Sequence, residues 1–141
     1  MKLHEILAVK GATVFSICSK ATLAEMAQSL VDHNCGSLVV IDDGKMCGII
    51  TERDFLKAFI NARRPLGELS VRDYMTREVA TGSPEDDVND VLGVMTDRRI
   101  RHLPILDGEQ LVGMVSIGDL VKAQHDQLTV ENHFMKNYIM G

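Results

Sequence analysis

Apolar residues recur every three or four positions over "LAEMAQSLVDHN", Leu23 to Asn34, and again over "VNDVLGVMTDRR", Val88 to Arg99. That spacing gives a helix with one buried face. Each stretch leads into a short apolar run, "SLVVI" or "HLPIL", then a turn, "DDGK" or "DGEQ", then a second apolar run, "MCGII" or "LVGMV". Asp42, Asp43 and Gly44 in one case, and Asp107 and Gly108 in the other, are hairpin turn residues, so each pair of runs predicts two antiparallel strands. A further helix is predicted after each hairpin. Short leaders, "LHEIL" (Leu3 to Leu7) and "VRDYM" (Val71 to Met75), read as one or two helical turns feeding brief extended segments at "TVFSI" and "EVATG".

The two halves are one unit written twice. Sliding the chain by 65 positions (113 − 48 = 65) aligns "SLVVIDDGKMCGIITERDFLKA", Ser37 to Ala58, with "HLPILDGEQLVGMVSIGDLVKA", His102 to Ala123, without a gap. Val14 then falls on Val79 and Ser16 on Thr81. One such unit, about 50 residues, buries little surface alone, so the two are expected to share a core, sheet to sheet. "NARRPLGELS", Asn61 to Ser70, with Pro65 and Gly67, reads as the linker. The expected division is 1–64, 65–127, and a C-terminal helix over 128–141 that has no counterpart in the first half. Leu128, Phe134, Met135, Tyr138 and Ile139 fall along one face of that helix, which predicts docking on the body or on a second subunit.

With 141 residues and 45% hydrophobic content, the chain has the composition of a soluble globular protein. Aromatic content is 4% with no Trp, so Val, Ile, Leu and eight Met must fill the core. A net charge of −5 argues against nucleic acid as partner. No apolar run approaches the roughly 20 residues of a membrane span, and His4, Glu5 and Lys10 interrupt the N-terminal stretch; a cytoplasmic location is expected. Cys18, Cys35 and Cys47 lie in apolar surroundings without metal-ligand spacing, and are expected to be small core residues. The five His are scattered.

The chemistry concentrates at one corner, built in both copies. "GIITERD", Gly48 to Asp54, matches "GMVSIGD", Gly113 to Asp119, in its glycine, hydroxyl and carboxylate. The plain reading of [ST]-x-x-[DE] is a helix N-terminal cap. The shorter Asp, where Glu or Gln is preferred, leaves a carboxylate expected to point outward. Beside a helix N-terminus an anion is stabilised by about 0.3–1 kcal/mol. A carboxylate there is a double acceptor suited to the two adjacent hydroxyls of a ribose, while the Thr51 or Ser116 hydroxyl and the amides can hold phosphate oxygens. Gly48 and Gly113 allow close backbone approach. Cations for a phosphate are richest at "RRIRH", Arg98 to His102; Arg101 and His102 are the better candidates, with Arg53 a further one.

The duplicated pattern resembles a pair of cystathionine-β-synthase (CBS) domains, a Bateman module. "GIITERDFLKA", "GMVSIGDLVKA", "VRDYMTREVATGSPEDDV" and "RIRHLPILDGEQLVG" carry the likeness, which covers Met1 to about Gln127. It implies an α+β fold of two β-α-β-β-α domains related by a pseudo-twofold and packed through small sheets, with adenosine-type ligands in one or both clefts. Asp54 and Asp119 inherit a ribose role, Thr51 and Ser116 help with phosphate, and Arg101 and His102 meet it. Adenine would lie against Val14, Ile17, Val79, Thr81, Met46 and Leu111; Ser37 and Pro104 complete the candidate set. The two copies depart from each other at Gly36 and Ser37 against Arg101 and His102, Val39 against Pro104, Ser19 against Pro84, and Arg53 against Gly118. The two sites should therefore differ in affinity.

The resulting expectation is a non-catalytic sensor of an adenine nucleotide, AMP first, with ATP, ADP, NAD(H) and S-adenosylmethionine as alternatives, and no metal. The likeness implies a homodimer whose shape responds to ligand and acts on a protein effector that the sequence does not identify. The alternatives are a dimerisation scaffold with dead sites, or a regulatory subunit for NAD(H) or S-adenosylmethionine. An enzyme is disfavoured, because neither corner has a nucleophile–base pair or a metal-ligand set.

Overall fold

A computed structural model describes residues 1–140. In chain order these form α1 (Leu3–Lys10), β1 (Ser16–Ile17), α2 (Leu23–His33), β2 (Ser37–Asp42), β3 (Lys45–Thr51), α3 (Glu52–Asn61), α4 (Val71–Tyr74), α5 (Val88–Arg98), β4 (His102–Asp107), β5 (Gln110–Ser116) and α6 (Ile117–Met140). The class is α+β. The chain packs as two compact units, one made of Thr13–Ala80 and the other of Met1–Ala12 together with Thr81–Gly141.

In the Thr13–Ala80 unit, α2 starts where the Thr22 hydroxyl accepts from the Glu25 amide at 3.1 Å, and stops where Asn34 turns left-handed at φ 50. Its apolar stripe, Leu23, Met26 and Leu30, packs into a cluster with Leu38, Val40 and Ile50. β2 and β3 form the predicted hairpin through Asp43 and Gly44, both at positive φ (51 and 77), as a type I′ turn requires. β1 adds to β2 in parallel, giving the order β1-β2-β3.

The second unit repeats this plan with two strands in place of three. Asp87 caps α5 by accepting from Asn89 and Asp90, and Arg99 takes the left-handed position equivalent to Asn34, at φ 55. β4 and β5 pair antiparallel, with the same register shift as the first hairpin, between Ile105 and Leu106 as between Val40 and Ile41. The extended segment expected at "EVATG" shrinks to one bridge, Gly82 to Ile105. The reason is Pro104. Its counterpart Val39 donates its amide to the Phe15 carbonyl at 3.1 Å, and proline has no N–H to give.

The packing boundary does not follow the repeat boundary at 64/65. Leu3 and His4 donate their amides to the Asp86 and Pro84 carbonyls, and Val88 donates to Met1. The same three ties recur where Val71 and Arg72 donate to Ala21 and Ser19, and Leu23 donates to Leu69. Each leader thus serves the other copy's helix, α1 with α5 and α4 with α2. Nor is Asn61 to Ser70 a loose tether, since Leu69 is buried and its carbonyl is used.

The strand glycines explain why the leaders fit. A Cβ on Gly48 would lie 2.7 Å from the Thr76 carbonyl oxygen and 3.0 Å from the Met75 sulfur; one on Gly113 would lie 2.7 Å from the Leu7 side chain. The close approach that the glycines permit is therefore that of the leaders. Gly48→Ala must move backbone that also holds the paired Ile49 and Thr76 hydrogen bonds, at 2.9 and 2.8 Å. We expect it to cost about 1–3 kcal/mol in denaturant unfolding, and Gly113→Ala to cost less, because Leu7 can change rotamer.

The tail corrects the sequence expectation. There is no separate helix beginning at 128: α6 runs unbroken from Ile117. Leu128, Phe134, Met135, Tyr138 and Ile139 are all exposed, so this face does not dock on the body; Gly141 lies outside the described residues. No glycine or proline interrupts the turns around Gln127, and the helix simply continues. Among the described residues no helix is long and apolar enough to cross a membrane.

Candidate functional site

Both corners are helix N-termini reached directly from a hairpin strand. At the first, the Asp54 amide donates to the Thr51 hydroxyl at 3.3 Å, and the Thr51 amide donates to Asp54 Oδ2 at 3.0 Å. At the second, the Asp119 amide donates to the Ser116 hydroxyl at 3.0 Å, and the Ser116 amide donates to Asp119 Oδ2 at 2.8 Å. Both are closed capping boxes. The carboxylates therefore do not simply point outward, as the short Asp side chain suggested: one oxygen of each folds back onto the cap, because an aspartate at N3 still reaches the N-cap amide. The backbone steadies each corner from the strand side, with Glu52 donating to the Gly36 carbonyl at 3.0 Å and Ile117 to the Arg101 carbonyl at 2.9 Å.

The strand pairing brings some candidates to these corners and leaves others apart. Ser37 stands opposite Thr51, and His102 opposite Ser116. Ser37 and Pro104 are buried, whereas Arg53, Arg101 and Thr81 are exposed. Arg101 lies just before β4, so strand alternation does not decide its direction. Val14, just before β1, and Ile17, in it, belong with the Thr51 corner's unit, as does half-buried Val79; Ile17 packs on the core cluster. Thr81, Arg101, His102 and Pro104 belong with the Ser116 corner's unit. Met46 and Leu111 are half-buried near the hairpin ends.

One participant escaped the sequence reading. Lys10, the last residue of α1, donates Nζ to Asp119 Oδ2 at 2.5 Å and to the Met114 carbonyl at 2.6 Å. Burial pushes the Asp119 carboxyl up, but the Lys10 ammonium and the Ser116 donors outweigh it, and the group titrates below the ordinary carboxylate value. A depressed folded value contributes stability that is fully present above the unfolded value of about 3.9 and is lost as pH falls through the folded one. The available signal was the spacing from leader to helix cap: fifteen residues from Leu7 to Thr22 (22 − 7 = 15) against twelve from Met75 to Asp87 (87 − 75 = 12).

A second polar cluster lies in the first copy. Asp42 accepts from the Ser19 amide at 2.9 Å and hydroxyl at 2.5 Å, and these bonds hold its carboxyl below the usual value. Cys47 lies 3.7 Å away, its thiol pushed up by burial and then by the Asp42 charge. Pro84 replaces Ser19 in the other copy. Cys35 and Cys47 pack on the core as expected, but Cys18 is exposed.

A hydroxyl-and-carboxylate helix cap, repeated after a hairpin in each of two α+β units, defines a duplicated domain pair whose distinctive chemistry sits at two helix N-termini. The CBS domain family model matches twice, over residues 11–61 and 71–126, and the chain belongs to that family. It is 39% identical over 125 residues to the mitochondrial CBS domain-containing protein CBSX3 of Arabidopsis thaliana, covering 85% of this chain and 61% of the plant protein's length. A CBS-domain-containing protein of Agrobacterium tumefaciens superposes with a TM-score of 0.84 at 34% identity, over 88% of this chain and 99% of that one. The CBS domain pair of protein MJ0100, solved in complex with 5′-methylthioadenosine and S-adenosyl-L-methionine, gives 0.73 at 27% identity, over 87% and 98%.

Proposed function

We propose that the chain is a regulatory binding module for an adenosine-containing ligand, with AMP as the leading candidate, and that the ribose diol is held by the Asp carboxylate of a capping box. The observation that carries this is the half-used carboxylate. At Asp54 both bonds from Thr51 go to Oδ2, which leaves Oδ1 outside the cap as an acceptor suited to neighbouring hydroxyl donors. The similar MJ0100 pair was solved with two adenosyl compounds, which favours the nucleoside portion as the shared element. Arg101 and His102 would face a phosphate at the Ser116 corner, and Arg53 at the Thr51 corner. Val14, Ile17, Val79, Thr81, Met46 and Leu111 would pack on the base, with Ser37 and Pro104 shaping the strand behind the cap.

Such a module acts by differential affinity: ligand changes what it offers a partner only as far as it binds one conformation better. We take the working form to be a homodimer, since Leu56, Phe59 and Ile60 on α3 leave an exposed apolar face. Thermal unfolding with AMP, ADP, ATP, NADH, S-adenosylmethionine and 5′-methylthioadenosine tests the reading. Stabilisation should grow logarithmically with concentration for at least one of them, and not for 2′,3′-dideoxyadenosine. No shift at millimolar levels from any would leave a scaffold without a ligand.

A further inference from the structure

The two corners share a motif but not a charge. At the first, Glu52, Arg53 and Asp54 follow Thr51, and the residues entering the strand behind the cap are Gly36 and Ser37, which leaves one net negative charge. At the second, Ile117 and Gly118 stand in place of Glu52 and Arg53, so the helix start contributes Asp119 alone. Two cations reach it from outside the capping motif. Arg101 is fixed there by its carbonyl, which accepts from the Ile117 amide at 2.9 Å, as the Gly36 carbonyl accepts from Glu52 at the first corner. Lys10 comes from α1, which extends to it, whereas the equivalent leader helix α4 ends at Tyr74. Its Nζ is held by Asp119 Oδ2 and by the Met114 carbonyl, and the side chain is still 35% exposed, so a bound ligand would feel its charge. With His102 neutral, the second corner carries one net positive charge, two units above the first. Each carboxylate makes its cap bonds through Oδ2, so the acceptor offered to a sugar is alike and the surrounding field is what differs.

We infer that the two corners sort adenosine-type ligands by charge: a second phosphate strengthens binding at the Asp119 corner, through Lys10 and Arg101, and does not at the Asp54 corner. This rests on the nucleoside reading above and adds to it which nucleotides each corner prefers. One extra ligand charge, about 8 Å from a site whose net charge differs by two units, changes affinity roughly fivefold even at the dielectric constant of water. The selectivity therefore resides in a leader helix and a strand entry, outside the repeated motif.

Amide-detected NMR titration of the full chain with AMP and with ADP, at low salt and without divalent cations, tests this. The Thr51 and Asp54 amides report one corner and the Ser116 and Asp119 amides the other, so each yields its own ratio of ADP to AMP affinity. In the wild type that ratio should be at least about fivefold higher at the second corner than at the first. Lys10→Met, which keeps the aliphatic stem, should lower it at the second corner only, and Lys10→Arg should preserve it. Lys10→Met combined with Arg101→Gln should bring the two corners within twofold of each other. Equal ratios at both corners of the wild type, or a second-corner ratio that survives the loss of both cations, would overturn the sorting. Shifts at neither corner with either nucleotide would instead overturn the nucleoside reading, and the sorting with it.

Discussion

Replacing Asp54 by alanine is expected to weaken AMP binding at least about tenfold, equivalent to about 1.4 kcal/mol. The estimate follows from losing hydrogen bonds to a charged acceptor, each worth about 1.5–3 kcal/mol, against what water offers the free diol. The same substitution removes half of the capping box, so folding stability should also fall, and the two effects must be separated. Asp54→Asn does this. Its amide oxygen can still accept from the Thr51 amide, 3.0 Å from the present Oδ2, but the side chain is neutral and can accept through one atom only. Stability near the wild type with a clear loss of affinity would assign the carboxylate to the ligand. If Asp54→Asn unfolds as Asp54→Ala does and binds AMP as the wild type does, the carboxylate is a cap and nothing more.

Truncating Leu3 to alanine should cost about 2–5 kcal/mol, the range for a fully buried leucine whose cavity cannot collapse. Leu3 has no exposed surface, its amide is tied to the Asp86 carbonyl at 3.0 Å, and its Cδ1 would lie 3.1 Å from a Cβ on Gly82. Although it stands at the start of the chain, its neighbours are residues of the second copy. Native-state hydrogen exchange should therefore show the loss of protection in α5, β4 and β5 first, ahead of β2 and β3. The reverse order would mean that the leader serves its own copy after all.

The repeated element was readable because its causes are local. Apolar runs over the hairpin strands, three-and-four spacing over α2 and α5, Thr22 and Asp87 as caps, and Gly44 and Gly108 in the turns each act within a few residues. The capping residues Thr51, Asp54, Ser116 and Asp119 belong to the same class, and their positions at strand-to-helix junctions are as the pattern predicts. The direction of the carboxylates was not readable. Whether an N3 aspartate folds back or stands free depends on a rotamer choice that spacing does not encode.

The amino-acid pattern alone determined that this protein is a duplicated α+β chain with two acidic helix caps, because periodicity, turn chemistry and capping are short-range effects that any fold must respect. Only the tertiary structure decided that each leader serves the other copy, that α6 continues without a break, and that Lys10 closes on Asp119. Those outcomes depend on contacts between residues as far apart as 10 and 119, whose selection rests on which buried surfaces fit together, as Leu7 fits the absence of a side chain at Gly113.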